Sequence, residues 1–333
     1  MKRILVLLGC LWLAAILRSQ QSGLSKLSGP YLGQKPPGMV PEIFAPGIVS
    51  TANDPEFSGT FSPDGKEYYF FRFADGAGMM MTELIRDRWT APRPASFNST
   101  YIDNEPHITL DGKRMFFCSN RPYPGSGDQR IMTQVWVMER DGDAWGAPKH
   151  LRMGMMPSTS EQGRVFIGSG VFELADDKLV ETGTLDYDPG VPQDERLQRQ
   201  HTCMAPDESF HVFDFNETLY VSCRTKDGTW GRPTDLSQGL DLPGGEMLPT
   251  LSPDQKYLFF CNRGDIYWVS SKIIENLRPP AGASWLQSSE VPEKQAPKLN
   301  EKLWLLKPFV GPTWVGSIPN DSRMGEITLK LRG

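Results

Sequence analysis

The sequence predicts an all-β fold, a β-propeller of five four-stranded blades. Three observations predict it. A turn motif recurs with a nearly constant period, short aromatic and β-branched runs follow each copy, and 32 glycines with 28 prolines supply many turns without a fixed short period.

The first copy is Phe61-Ser62-Pro63-Asp64-Gly65-Lys66, leading into Tyr68-Tyr69-Phe70-Phe71. The second, Ile108-Thr109-Leu110-Asp111-Gly112-Lys113, precedes Met115-Phe116-Phe117, and a later copy, Leu251-Ser252-Pro253-Asp254-Gln255-Lys256, precedes Tyr257-Leu258-Phe259-Phe260. A weaker one is Met204-Ala205-Pro206-Asp207-Glu208-Ser209, before Phe210-His211-Val212-Phe213. Asp64 to Asp111 and Asp207 to Asp254 are each 47 residues, and Asp111 to Asp207 is 96, twice 48. One degenerate unit therefore lies in 150–200, with Gly163-Arg164-Val165-Phe166-Ile167 as its second strand; a further hidden unit there would make six blades. In the turn, proline presets φ, aspartate bonds its own backbone, and glycine takes the left-handed conformation. The near-continuous apolar runs that follow suit strands covered on both faces by neighbouring blades.

The second half of each unit carries short strands such as Val135-Trp136-Val137-Met138, Leu219-Tyr220-Val221-Ser222 and Ile266-Tyr267-Trp268-Val269. In three units a turn, a tryptophan and a proline follow, around Trp89, Trp145 and Trp230, and the proline suits an outermost strand. The last unit shows no such strand, whereas Pro41-Glu42-Ile43-Phe44-Ala45-Pro46 resembles one. This N-terminal segment is expected to complete the last blade and close the ring.

These residues resemble the WD40-like Pro-Asp propeller repeats of bacterial TolB-type proteins, over roughly 41–275. The match departs from the pattern at Leu110, at Glu208-Ser209 and throughout the third unit. The resemblance implies a non-catalytic binding propeller, periplasmic in some members.

Outside the propeller, assigned to 41–278, the chain reads more simply. Lys2 and Arg3 precede an apolar run over 4–17, so 1–20 is read as an export signal, in preference to lipidation at Cys10 or an uncleaved anchor. Residues 21–40 are expected to be a mobile leader, 279–300 a linker, and 301–333 a tail resembling the opening of a lipocalin-like barrel. The expected location is periplasmic or extracellular, with no membrane span in the mature chain, and the expected state is a monomer. A net charge of −5 without a Lys/Arg block argues against nucleic acid. Cys118, Cys203, Cys223 and Cys261 include no C-x-x-C and read as small buried hydrophobes.

Residues equally far before and after each turn aspartate should meet at the open end of the hairpin. Glu56 and Arg72 lie eight residues before and eight after Asp64, Glu246 and Arg263 eight before and nine after Asp254, and Glu105 and Arg121 six before and ten after Asp111, which makes the spacing only about equal. His107 and His201 are placed on first strands near the same rim. These groups are either cross-strand salt bridges, the weightier reading, or a ring of mixed charge gripping a polar ligand. The expected function is an exported, non-catalytic propeller that binds a protein or polysaccharide at this channel mouth. The alternative is a secreted glycosidase or lyase using Glu56, Glu105 and Glu246. No G-x-S-x-G and no close metal-ligand motif occurs, so neither cofactor nor metal is expected, and the methionine runs at 79–81 and 153–156 read as packing.

Overall fold

The computed structural model describes residues 27–74, 78–127, 134–240 and 244–277. The expected export signal, the linker from 279 onward and the tail over 301–333 lie outside the described residues. The strands form five antiparallel sheets. Blade one comprises β2 (Glu56–Phe61), β3 (Glu67–Arg72), β4 (Gly78–Ile85), β5 (Arg88–Trp89) and β6 (Arg93–Pro94). Blade two has β7 (Asp103–Ile108), β8 (Arg114–Ser119), β9 (Gln134–Asp141), β10 (Ala144–Trp145) and β11 (Lys149–Met153). Blade three has β12 (Ser158–Thr159), β13 (Arg164–Ile167), β14 (Gly170–Ala175) and β15 (Lys178–Thr184). Blade four has β16 (Thr202–Met204), β17 (Phe210–Phe215), β18 (Thr218–Cys223) and β19 (Thr234–Asp235). Blade five has β20 (Glu246–Leu251), β21 (Tyr257–Asn262) and β22 (Asp265–Ser270), and β1 (Glu42–Ile43) supplies its fourth strand. The blades therefore number five, and the N-terminal closure is present: Glu42 lies opposite Trp268 and Ile43 opposite Tyr267.

The turn aspartates act locally. Asp64 accepts from Ser62 Oγ at 2.6 Å and from the Lys66 N–H at 3.1 Å, while Gly65 takes φ +70°. Asp111 and Asp254 repeat the pattern with Thr109 and Ser252. Glu208 and Gln255 stand at the glycine position with φ +58° and +59°, a conformation unfavourable for residues bearing Cβ. Blade three, where the sequence offered no motif, makes a turn one residue shorter. Ser160-Glu161-Gln162-Gly163 closes with the Gly163 N–H on Ser160 O at 3.0 Å and leads directly into β13, the expected second strand.

The core lies between blades. At the seam of blades five and one, Phe44, Phe61, Tyr68, Phe70, Trp89, Phe259 and Trp268 pack together with Leu32. Where the sequence suggested a mobile leader, Leu32 is 1% exposed, Tyr31 donates its hydroxyl to Asp254 at 2.7 Å, and Trp89 Nε1 donates to Gly29 O at 2.8 Å. All four described cysteines are free thiols, three of them buried. Met79 and Met81 are buried between blades one and two, as adaptable packing requires.

Candidate functional site: the central channel

The first strands β2, β7, β12, β16 and β20 contact one another around the channel, so their side chains line it. At the open end of the hairpins, blade one carries the expected pair. Glu56 lies opposite Arg72, and their side chains meet at 2.9 Å. Arg72 also donates to Ile48 O and Val49 O, and the Glu56 carboxylate receives the Thr51 N–H and hydroxyl. Burial pushes the Glu56 carboxyl up, with Thr51 and Arg72 pulling it back part of the way. This pair is a fully engaged structural clasp.

The other two pairings differ from the expectation. Arg121 meets both oxygens of Asp103 at 2.7 Å, not Glu105, and stacks over Phe117 and Trp136. In blade five the residue opposite Glu246 is Asn262, which donates to Glu246 Oε1 at 3.3 Å; Arg263 lies in the tight turn between β21 and β22 with φ +50°. The expected pairs were not equidistant from their turns: residues eight before and eight after the aspartate pair in all three blades (Glu56 with Arg72, Asp103 with Ser119, Glu246 with Asn262). Arg121 and Arg263 lie further along, and Glu105 sits in a β-bulge of the inner strand that recurs between Phe57 and Gly59 and between Met247 and Thr250. A bulge inserts an unpaired residue and re-aims its side chain. Glu105 occupies such a bulge, with φ +51°, and does not pair with Arg121.

The bulged residues form a ring inside the channel. Ser58, Glu105, Met156 and Leu248 occupy equivalent places with φ between +37° and +58°, and His201 holds the same place in blade four. Their backbone donors are satisfied by neighbouring blades. The Glu105 N–H reaches Ser58 Oγ at 3.2 Å, and the Met156 N–H reaches Glu105 Oε2 at 2.7 Å. Asp214 on β17 receives the His201 N–H at 2.9 Å, the Leu248 N–H at 3.1 Å, and the His201 Nδ1 contact at 2.7 Å. His201 Nε2 lies 4.0 Å from Glu105 Oε1, so an Asp214–His201–Glu105 line crosses the channel between blades two and four. Burial alone would lower the His201 pKa, but Asp214 and then Glu105 outweigh it and raise it.

At the other end, where the Pro-Asp turns lie, the channel opens into a cavity of about 240 Å³. His107 lines this mouth, not the rim where the sequence placed it, and its Nε2 sits 2.8 Å from Thr159 Oγ1. Burial lowers its pKa to about 4, which keeps the imidazole neutral. The remaining walls come from Thr60, Ser158, Cys203 and Thr250, with Pro63, Pro106, Pro157, Pro206, Pro249 and Pro253 between them. Their hydroxyls are already engaged. Thr250 donates to Gly59 O, Thr202 donates to Gly168 O, and Ser158 accepts the Met204 N–H. The cavity presents methyl, proline and thiol surface in its larger part and polar surface in the rest. The sequence reading missed this end. Its available signal was the proline at the same place in three units, Pro106 within β7, Pro249 within β20 and Pro157 just before β12, because proline at a strand marks a bulge or a broken ladder.

A second buried histidine sets an acid limit. His211 is fully buried, accepts from Arg199 Nε at 3.3 Å, and has its pKa driven well below normal, by burial first and Arg199 second. A histidine depressed in the folded state contributes stability above about pH 6.5 that is lost as pH falls below it, at up to ~1.4 kcal/mol per pH unit for each such group. His107 acts in the same sense until pH approaches about 4. His201, raised in the folded state, contributes below about pH 6.5 and loses that contribution as pH rises through its folded value. Urea midpoints measured between pH 5 and 8.5 are therefore expected to peak near pH 6.5. His211→Leu should flatten the acid limb; a midpoint that climbs steadily toward pH 5 would refute the assignment.

No protein-family model matches this sequence, and the curated proteins contain no match to it. Solved structures align with it at a distance. A putative TolB from Agrobacterium tumefaciens aligns at 18% identity and a TM-score of 0.36, covering 62% of this chain and 69% of its own. The WD40 repeats of RRP9 align at 8% identity and 0.40, covering 71% and 99%. XC5397 from Xanthomonas campestris, a gluconolactonase, aligns at 11% identity and 0.38, covering 66% and 87%. At such identities and TM-scores the alignments carry no argument about this chain, whose β-propeller fold rests on its own five sheets.

Proposed function

We propose that this protein is a non-catalytic binding propeller that captures a protein partner by taking an uncharged, apolar side chain into the turn-end mouth of its channel. One observation carries the reading: Thr202 and Thr250 donate their hydroxyls within the fold and six prolines line the mouth, which leaves walls that are apolar in the larger part. A polysaccharide needs free hydrogen-bonding groups at its site, and the hydroxyl donors of Thr202 and Thr250 are already committed within the fold. The carboxylates that a glycosidase would use are engaged elsewhere. Glu56 is clasped by Arg72 and Thr51, Glu105 by the Met156 N–H, and Glu246 by Gly244 and Asn262.

The test is selection from a phage-displayed library of random peptides, followed by affinity measurement against variants. Peptides sharing an apolar residue are expected, and Thr60→Trp, which fills the mouth, should weaken them by about tenfold or more, ~1.4 kcal/mol. Arg263→Ala, at the opposite end of the channel, should leave them unchanged. Selected peptides that ignore Thr60→Trp would overturn the proposal.

A further inference from the structure

The mouth does not end at its rim. A second cavity of about 370 Å³ lies between blades two and three on the same face and shares Leu110 and Thr159 with the first. Leu110 stands where three other blades have Pro63, Pro206 and Pro253, and it is 37% exposed. Together the two cavities make a groove that runs from the channel axis outward, with Leu110 as the sill. Phe116, Val165 and Leu174 line the outer arm.

The groove is asymmetric in charge. The rim position of the five turns reads Pro63, Leu110, Glu161, Pro206 and Pro253, four apolar residues and one carboxylate. Of the two other charged groups in the arm, Asp111 is hydrogen-bonded and Arg114 is held only in a half-exposed ion pair. Asp111 accepts from Thr109 Oγ1 and the Lys113 N–H, and Arg114 Nε lies 3.6 Å from Glu139. Glu161 is anchored through its backbone, whose N–H donates to Pro206 O at 2.9 Å, while its side chain is exposed and has no hydrogen-bond or ion-pair partner among the described residues. We infer that the groove takes an extended peptide segment with a lysine or arginine close to its apolar anchor, the anchor entering the mouth and the cation meeting Glu161 across the Leu110 sill. This rests on the reading of the mouth given above. A cation there gains an ion pair without displacing one, whereas an acidic residue meets like charge next to low-dielectric walls.

The experiment uses two synthetic peptides built on a selected binder, identical except for lysine or glutamate beside the apolar anchor. The lysine peptide is expected to bind about three- to fivefold more tightly, with the advantage shrinking in high salt. Glu161→Gln should remove the preference, and Glu161→Lys should reverse it. Both variants leave the backbone bond to Pro206 intact, and matching thermal unfolding would verify that they fold. A preference that survives Glu161→Lys overturns this inference while the mouth reading stands, provided Thr60→Trp still weakens binding. Insensitivity of every peptide to Thr60→Trp overturns the mouth reading itself. Capture of neutral oligosaccharides on a glycan array, competed by no peptide, overturns both.

Discussion

Replacing Asp214 with alanine is expected to destabilise the protein by about 3–5 kcal/mol, the cost of removing one member of a buried, hydrogen-bonded charge pair. Asp214 is fully buried and serves three donors from two blades: the His201 ring, the His201 N–H and the Leu248 N–H. Its loss leaves two backbone donors without an acceptor, each costing about 1–3 kcal/mol when water cannot reach it. It also strips His201 of the carboxylate that outweighs its burial. Asp214→Asn keeps the volume and one acceptor oxygen, so it should fall between wild type and alanine. Urea unfolding at pH 6.5 measures all three. A loss under about 1 kcal/mol for alanine would mean that His201 and Leu248 find other partners and that the ring is not held by this carboxylate.

Phe44→Ala is expected to cost a similar amount, about 3–5 kcal/mol, as large-to-small changes of buried aromatics do. Phe44 is fully buried just beyond β1, and its ring meets Phe61, Tyr68, Phe259 and Trp268 at centroid distances of 5.0 to 6.0 Å. These partners belong to blades one and five, so the substitution empties the seam where the ring closes. The physical consequence exceeds a local cavity. Hydrogen exchange at Ile266 and Trp268, which face β1, should accelerate more than exchange in blade three. Equal acceleration throughout would mean that the seam does not open independently. The comparison separates closure from general packing.

Much of this architecture was legible because each blade is a local object. The turn motif fixes its own geometry, so Asp64, Asp111 and Asp254 announce three hairpins without reference to the rest of the chain. The missing fourth strand of the last blade and the spare strand at 42–43 follow from counting. The site was less legible. Its position depends on bulges at Ser58, Glu105 and Leu248, and a single inserted residue changes which side chains face the channel. The pair Glu56–Arg72 was read correctly because it is a direct cross-strand neighbour; Glu105 was not, because its partners, Met156 and His201, come from two other blades.

The sequence alone determined the repeat and the manner of closure, since these follow from local turn chemistry and from a period of about 47 residues, while it left five or six blades and the sheets made the number five. Only the tertiary structure decided where the channel is open and what lines it. The rim charges are clasped within the fold, the channel is crossed by Asp214, His201 and Glu105, and the accessible cavity lies at the turn end. The reason is physical: those side chains meet through space across blades that are tens of residues apart, and the ring's closure brings them together.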